Sequence, residues 1–423
     1  MKLRPSNSIN AATFVPAAVC GALFSLAIGA ETGEGPSAAN KAALDKVLSH
    51  AVEQHLTPGV VGLVVGRDGV LFQGAAGFLD AERKTPLPLN AIFHIASMTK
   101  PVTSVAIMML REQGKLGLDD PVSKYLSGFD HLQVITKFDL TKGTYEARPA
   151  LKQMTLRHLL TQTSGIGYGF SNPLLAKLQE GTGKSEWEFP LLHEPGEKWT
   201  YGPSTRLLGL IVEKISGETL EKYFQEHVFV PLGMADTSYA VPIEKQARVT
   251  IIYDHIDGQF KKRAQQAIPS VPTPPFPGDG GLYSTAKDYG RFVRMLLNGG
   301  RFEQQRILSE ESVRLMATNN IGEVVVSEQA GGIPAVTKPF PLGAGRDKFG
   351  LGFQIAVDGP AHSAGRKAGS LSWAGIFNTE FWIDRKTGIG GVLLMQYLPF
   401  YDPGALRTLQ DFESTVYREL QIP

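Results

Sequence analysis

Apolar residues recur at helical spacing from Lys41 to His55 (Ala43, Leu44, Val47, Leu48, Val52), and Pro58-Gly59 ends the pattern. Two β-rich runs follow, Val60 to Val65 and Val70 to Gly74, joined by Arg67-Asp68-Gly69. Asp-Gly between apolar runs predicts a hairpin. An unbroken apolar stretch from Val102 to Leu110, closed by Gln113-Gly114, predicts a buried helix. Between about Leu118 and Asp288 helical patterns (Leu156 to Leu160, Thr205 to Ile215, Leu220 to Phe229) alternate with loops rich in Pro and Gly, such as Pro269 to Gly281. Strand signals return at Gly350 to Val357, Asn378 to Ile383 and Gly391 to Gln396, and an amphipathic helix, Leu406 to Leu420, follows.

Strands at both ends around a helix-rich middle predict an α/β fold, α+β in strand order, whose antiparallel sheet is flanked by helices and built from both chain ends. The expected division is a sheet domain, 31–117 plus 289–423, with a mainly helical lobe, 118–288, inserted into it and an active site between them.

The chain begins with Lys2 and Arg4, then an uncharged run of small and apolar residues from Ala11 to Ala30. Ala27-Ile28-Gly29-Ala30 suits a signal peptidase, so residues 1–30 are expected to direct export to the periplasm or medium; an uncleaved leader would instead be a membrane anchor. Removing Lys2 and Arg4 takes the formal charge from +1 to −1, and Cys20, the one cysteine, is lost with them. A near-neutral chain lacks the basic surplus of a nucleic-acid grip. One cysteine and nine histidines without an HExxH pairing leave no metal motif. No metal, cofactor or nucleic acid is expected, nor a stable membrane partner once the leader is gone.

Ser97-Met98-Thr99-Lys100 carries the first candidate chemistry. Three residues apart on the opening turn of a helix, serine and lysine share a face, and a partly desolvated lysine can accept a hydroxyl proton. Pro101 is tolerated there because first-turn N–H groups lack partners. The spacing alone is weak, since about one such pair arises by chance in a chain this long. A second, Ser284-Thr285-Ala286-Lys287, reads as a helix N-cap, with Asp288 and Arg291 on a solvated face. Ser97 differs in having apolar flanks. Tyr201 follows a Pro195-Gly196 turn and precedes a helix; a phenolate beside a lysine ammonium is stabilised and can share proton transfer, although alone it reads as a packed aromatic.

The segments Phe93 to Lys100, Leu118-Asp119-Asp120-Pro121-Val122, His158 to Gly165, Pro231-Leu232-Gly233-Met234 and Gly280 to Thr285 resemble landmarks of the class C β-lactamase-like serine hydrolases, especially the family VIII carboxylesterases. The resemblance spans nearly everything after the leader. It implies that Tyr201, in Pro-Gly…Trp-x-Tyr, is the catalytic tyrosine. Three stretches mimic the family's Lys-Thr-Gly strand: Lys367-Ala368-Gly369, Trp373-Ala374-Gly375 and Lys386-Thr387-Gly388. Lys386 falls in a turn between two predicted strands, one strand too late. Trp373-Ala374-Gly375 resembles the Trp-Gly-Gly variant of family VIII and is preferred over Lys367. The N–H of Ile376 would then join that of Ser97 in an oxyanion hole.

The resemblance implies acyl transfer through Ser97. Trp373, Ala374 and Gly375 line the substrate, and tryptophan replaces the lysine that helps anchor a lactam carboxylate. Arg366 and Lys367 are near enough in sequence to compensate in part. Pro203 breaks the Tyr-x-Asn pattern. The expected activity is a carboxylesterase acting on small-molecule esters of short acyl chains, with slow β-lactam hydrolysis alongside. A β-lactamase or D-Ala-D-Ala peptidase, an acyltransferase and a silent penicillin-binding-like protein are the alternatives. His193 and His362 are open as assisting histidines.

Overall fold

The structure, a computed structural model, describes residues 36–264, 267–362 and 365–420. The leader expected over 1–30 lies outside these residues. Eight strands form one sheet: β1 (Gly59–Gly66), β2 (Val70–Asp80), β3 (Thr85–Pro86), β4 (Lys348–Phe349), β5 (Gln354–Ile355), β6 (Leu371–Gly375), β7 (Thr379–Asp384) and β8 (Ile389–Leu394). Their order is β4-β5-β6-β7-β8-β1-β2-β3, antiparallel throughout. The two chain ends meet at β1 and β8, where Val61 lies opposite Leu394 and Leu63 opposite Val392.

β1 is buried along its whole length because both sheet faces are covered. Successive side chains point to opposite faces. Val60 and Val64 enter one core with Trp382, Phe412 and Val416; Val61, Leu63 and Val65 enter the other with Phe381 and Val392. Helices α1 (Ala38–Glu53) and α5 (Pro403–Glu419) cover the first face. The second is covered by α4 (Ala286–Leu297), and α2 (Thr99–Glu112) and α3 (Ser204–Ser216), packed on each other, extend the same core. Gly290 lets α4 approach closely, since a Cβ there would strike the Leu63 side chain of β1.

The expected helices and the β1–β2 hairpin are present, with Val70–Asp80 running beyond the expected end. Leu220 to Phe229 is split: α-helical to Phe224, then a π-helical turn over Gln225–Phe229. The middle of the chain also contains two hairpins that the apolar pattern does not announce, Gln133–Asp139 with Thr144–Pro149 and Tyr253–Ile256 with Gln259–Lys262. Gly350 to Val357 is not one strand: Gly352, at φ 94, turns the chain between β4 and β5. The second Ser-x-x-Lys also departs from expectation. Thr285, not Ser284, caps α4; Ser284 is a buried strand residue bonded to Thr237. Asp288 is buried, accepting from the Asp236 amide and the Thr237 hydroxyl. No described helix is long and apolar enough to cross a membrane.

Candidate active site

The short strand Phe93–His94, paired with Tyr283–Ser284, delivers the chain to a tight turn. Ile95 N donates to Leu282 O at 2.9 Å, and Ala96 adopts φ 44, a conformation costly for a residue with a Cβ. A single 3₁₀ turn, Ala96–Met98, then presents Ser97 just before α2 begins at Thr99. The Thr99 hydroxyl donates to Ala96 O at 2.7 Å and the Tyr289 hydroxyl to Met98 O at 2.9 Å, pinning both sides of the serine.

Lys100 is 3% exposed. Its Nζ donates to Ser97 Oγ at 3.2 Å, to the Tyr168 hydroxyl at 3.0 Å and to Asp279 O at 2.8 Å. Three acceptors match the three donors of an ammonium. The Tyr201 hydroxyl donates to Ser97 Oγ at 2.7 Å. Its loop is held by Gly202 N donating to Gln162 Oε1 at 3.0 Å, and its ring by Trp373 and Phe340 at 5.1 and 5.6 Å between centroids. Ser97, Lys100 and Tyr201 are thus brought together. Lys100, however, meets Tyr201 across the ring face, with Nζ 4.8 Å from its centroid, and the phenol hydroxyl it bonds belongs to Tyr168.

Tyr168 and Asp279 were not singled out from the sequence. The Tyr168 hydroxyl donates to Asp279 Oδ2, whose partner oxygen accepts from Arg206 Nε at 2.7 Å. Burial and then the Asp279 charge push the phenol well above its ordinary value, so Tyr168 stays neutral beside Lys100. The signal for Tyr168 was its place three residues after the His158 to Gly165 motif; that for Asp279 was a Pro-Gly-Asp-Gly loop that read only as a turn.

β6 forms the opposite wall. β5 pairs with it only at Ser372 and Leu371, so no described strand pairs with the outer edge from Trp373 to Gly375. Gly375 abuts the turn that carries Ser97: a Cβ there would run into Ile95 O and Thr379 Oγ1. Among the described residues no acceptor takes the N–H of Ser97 or of Ile376. Trp373, 7% exposed, packs edge-on against Trp199 and Phe349. Lys386 is exposed in the β7–β8 turn. Arg366 is not a free cation, because its Nε and a terminal nitrogen grip the Glu413 carboxylate at 2.9 and 2.7 Å. His193 bonds Thr200 Oγ1 and Glu194 O, away from Ser97.

A partly open cavity is lined by Ser97, Tyr201, Trp373, Ala374 and Ile376. It is walled by Phe170, Phe340, Leu342, Phe400 and Leu409, and also reaches His362, Arg366 and Glu380. His362 faces Asp347, with Nε2 2.8 Å from Oδ2.

Residues 44–414 match the sequence model of the Beta-lactamase family. The chain belongs to that family. Among its relatives, Protein Rv1367c of Mycobacterium tuberculosis is 35% identical over 360 residues, covering 81% of this chain and 87% of that protein. Esterase EstB of Burkholderia gladioli is 27% identical over 391 residues, covering 84% and 89%. The solved structure of a simvastatin synthase (LovD) mutant from Aspergillus terreus superposes with a TM-score of 0.76 at 26% identity, covering 91% of this chain and 96% of that one. Esterases and acyltransferases both occur among the family's members similar to this chain.

Proposed function

We propose that this Beta-lactamase family member is a serine carboxylesterase that hydrolyses short, neutral esters through an acyl-enzyme on Ser97. The observation that carries the reading is the convergence of Tyr201 OH and Lys100 Nζ on Ser97 Oγ, at 2.7 and 3.2 Å, at the mouth of an apolar cavity. In the reactive form Tyr201 lacks its proton, the Ser97–Tyr201 hydrogen bond is reversed, and Tyr201, beside the Lys100 ammonium, takes the serine proton as Oγ attacks the ester carbonyl. The amides of Ser97 and Ile376 receive the oxyanion, and Tyr201 returns a proton to the departing alkoxide. Water then enters, loses a proton to Tyr201 and releases the acid.

Ester preference follows from the β6 wall. Trp373 offers a broad apolar surface and no charge, Arg366 is engaged by Glu413, and neither Lys367 nor Lys386 lines the cavity, so the site offers a lactam carboxylate little to hold it. Pro203 caps α3 where an amide side chain would hold a lactam substituent. Slow lactam turnover is the side activity of such a site. Acyl transfer is the second reading, supported by the likeness to simvastatin synthase: the same acyl-enzyme would pass its acyl group to an alcohol. The test is a parallel panel of short esters, long esters and cephalosporins on wild type and Ser97→Ala, with and without an added alcohol. Turnover of short esters that vanishes in Ser97→Ala supports the proposal. Cephalosporin cleavage with esters untouched would sink it, and acyl-alcohol products outpacing free acid would favour transfer.

A further inference from the structure

We propose that the part of the Ser97 cavity lined by Glu380 is an acyl subsite in which Glu380 hydrogen-bonds a neutral oxygen, a ketone or hydroxyl, carried along the acyl chain. This rests on Ser97 being the acylated residue.

Glu380 stands on β7 opposite Ala374 of β6, on the face it shares with Trp382 and that α5 covers. It is 8% exposed and lines the same cavity as Ser97. Among the described residues no group hydrogen-bonds its carboxyl. The neighbouring charges are already committed: Arg366 to Glu413, and His362 to Asp347. The Ser372 hydroxyl, one residue before Trp373 and also on the cavity wall, likewise has no partner among the described residues.

A carboxyl this buried that bonds no described protein group is costly unless something in the cavity bonds it, and a leucine would fill the same volume without the penalty. The cost is recovered when a ligand supplies the missing hydrogen bond. Burial pushes Glu380 up to about 8, with the Arg366 charge opposing and the Glu413 charge adding, so near neutral pH it is a carboxylic acid that can donate. A ketone or hydroxyl accepts that bond without ionising the site, whereas an ammonium group would require a buried carboxylate. Phe340, Phe400, Leu342 and Leu409 line the same cavity as Ser97 and Glu380, and these apolar walls suit an aliphatic spacer. The leaving alcohol must depart before the acyl-enzyme is resolved, so the Glu380 contact serves the portion that stays.

The experiment compares p-nitrophenyl esters of straight alkanoic acids, from short chains of about four carbons up to about ten, with their counterparts bearing a ketone next to the chain end. Wild type, Glu380→Gln and Glu380→Leu are assayed as the full chain. At one chain length wild type is expected to show at least tenfold higher kcat/KM for the oxo ester. Glu380→Gln, still a donor, keeps the preference, and Glu380→Leu reverses it. Wild type turning over alkyl esters with no oxygen preference at any length overturns the subsite and leaves the esterase reading standing. The subsite also falls if Glu380→Leu keeps the preference, or if amino-terminated esters win. Wild type inert to every ester takes down both readings. The wild-type substrate comparison needs no variant, so it decides for or against the subsite even where Glu380→Leu fails to fold.

Discussion

Replacing Glu380 with glutamine should change how stability depends on pH. In the folded chain burial raises this carboxyl from its ordinary 4.5 to about 8. Between those values the native state holds a proton that the unfolded chain has released, so stability falls as pH rises through the window and levels off above it. At about 1.4 kcal/mol per pH unit the loss accumulates to roughly 4–5 kcal/mol by pH 8. Glutamine keeps the shape and never ionises. Urea unfolding at half-unit steps from pH 5 to 8.5 should therefore give similar midpoints for wild type and Glu380→Gln at pH 5, and a gap widening in the variant's favour toward pH 8.5. The Glu413 carboxyl, held below its ordinary value by Arg366, is common to both proteins and cancels in the comparison. Parallel curves across the range would show that Glu380 ionises freely, and the account of its burial would be wrong.

Two further outcomes follow from the site's supports. Tyr168→Phe removes the hydroxyl between Lys100 and Asp279; kcat on a short ester should fall tenfold or more with KM little changed, and the pH profile of kcat should shift, whereas an unaltered profile would make Tyr168 a packing residue only. Gly375→Ala forces β6 away from the Ile95 to Ser97 turn, so kcat/KM should drop by about 100-fold while far-ultraviolet circular dichroism stays that of wild type; full activity would mean that the Ile376 amide has no part in the reaction.

The helices and the β1–β2 hairpin were legible because each carries its own signal, an apolar stripe or an Asp-Gly turn. β6 carried none: Leu371-Ser372-Trp373-Ala374-Gly375 is short, mixed in polarity and defined by pairing with β7. The hairpin over 133–149 is largely exposed and polar, so backbone pairing makes it rather than burial. Ser97, Lys100 and Tyr201 could be nominated because nucleophilic chemistry restricts both residue type and spacing. Tyr168 and Asp279 depend on meeting Lys100 from two distant loops, which no local pattern encodes. Glu380 misleads outright. In Thr379-Glu380-Phe381-Trp382 it occupies what looks like a solvent-facing position, and only the arrival of α5 over that face makes it interior.

The meeting of β1 with β8 has a consequence for the newly made chain. Ser97 is synthesised early, but Trp373 to Ile376 and the strands that hold them emerge near the end, and the sheet closes only when Val61 can find Leu394. Contacts so distant in sequence form late and slowly. A ribosome-bound or truncated chain therefore carries the nucleophile without its opposing wall. The proposed site is therefore incomplete until synthesis is all but finished, a timing control written into strand order alone.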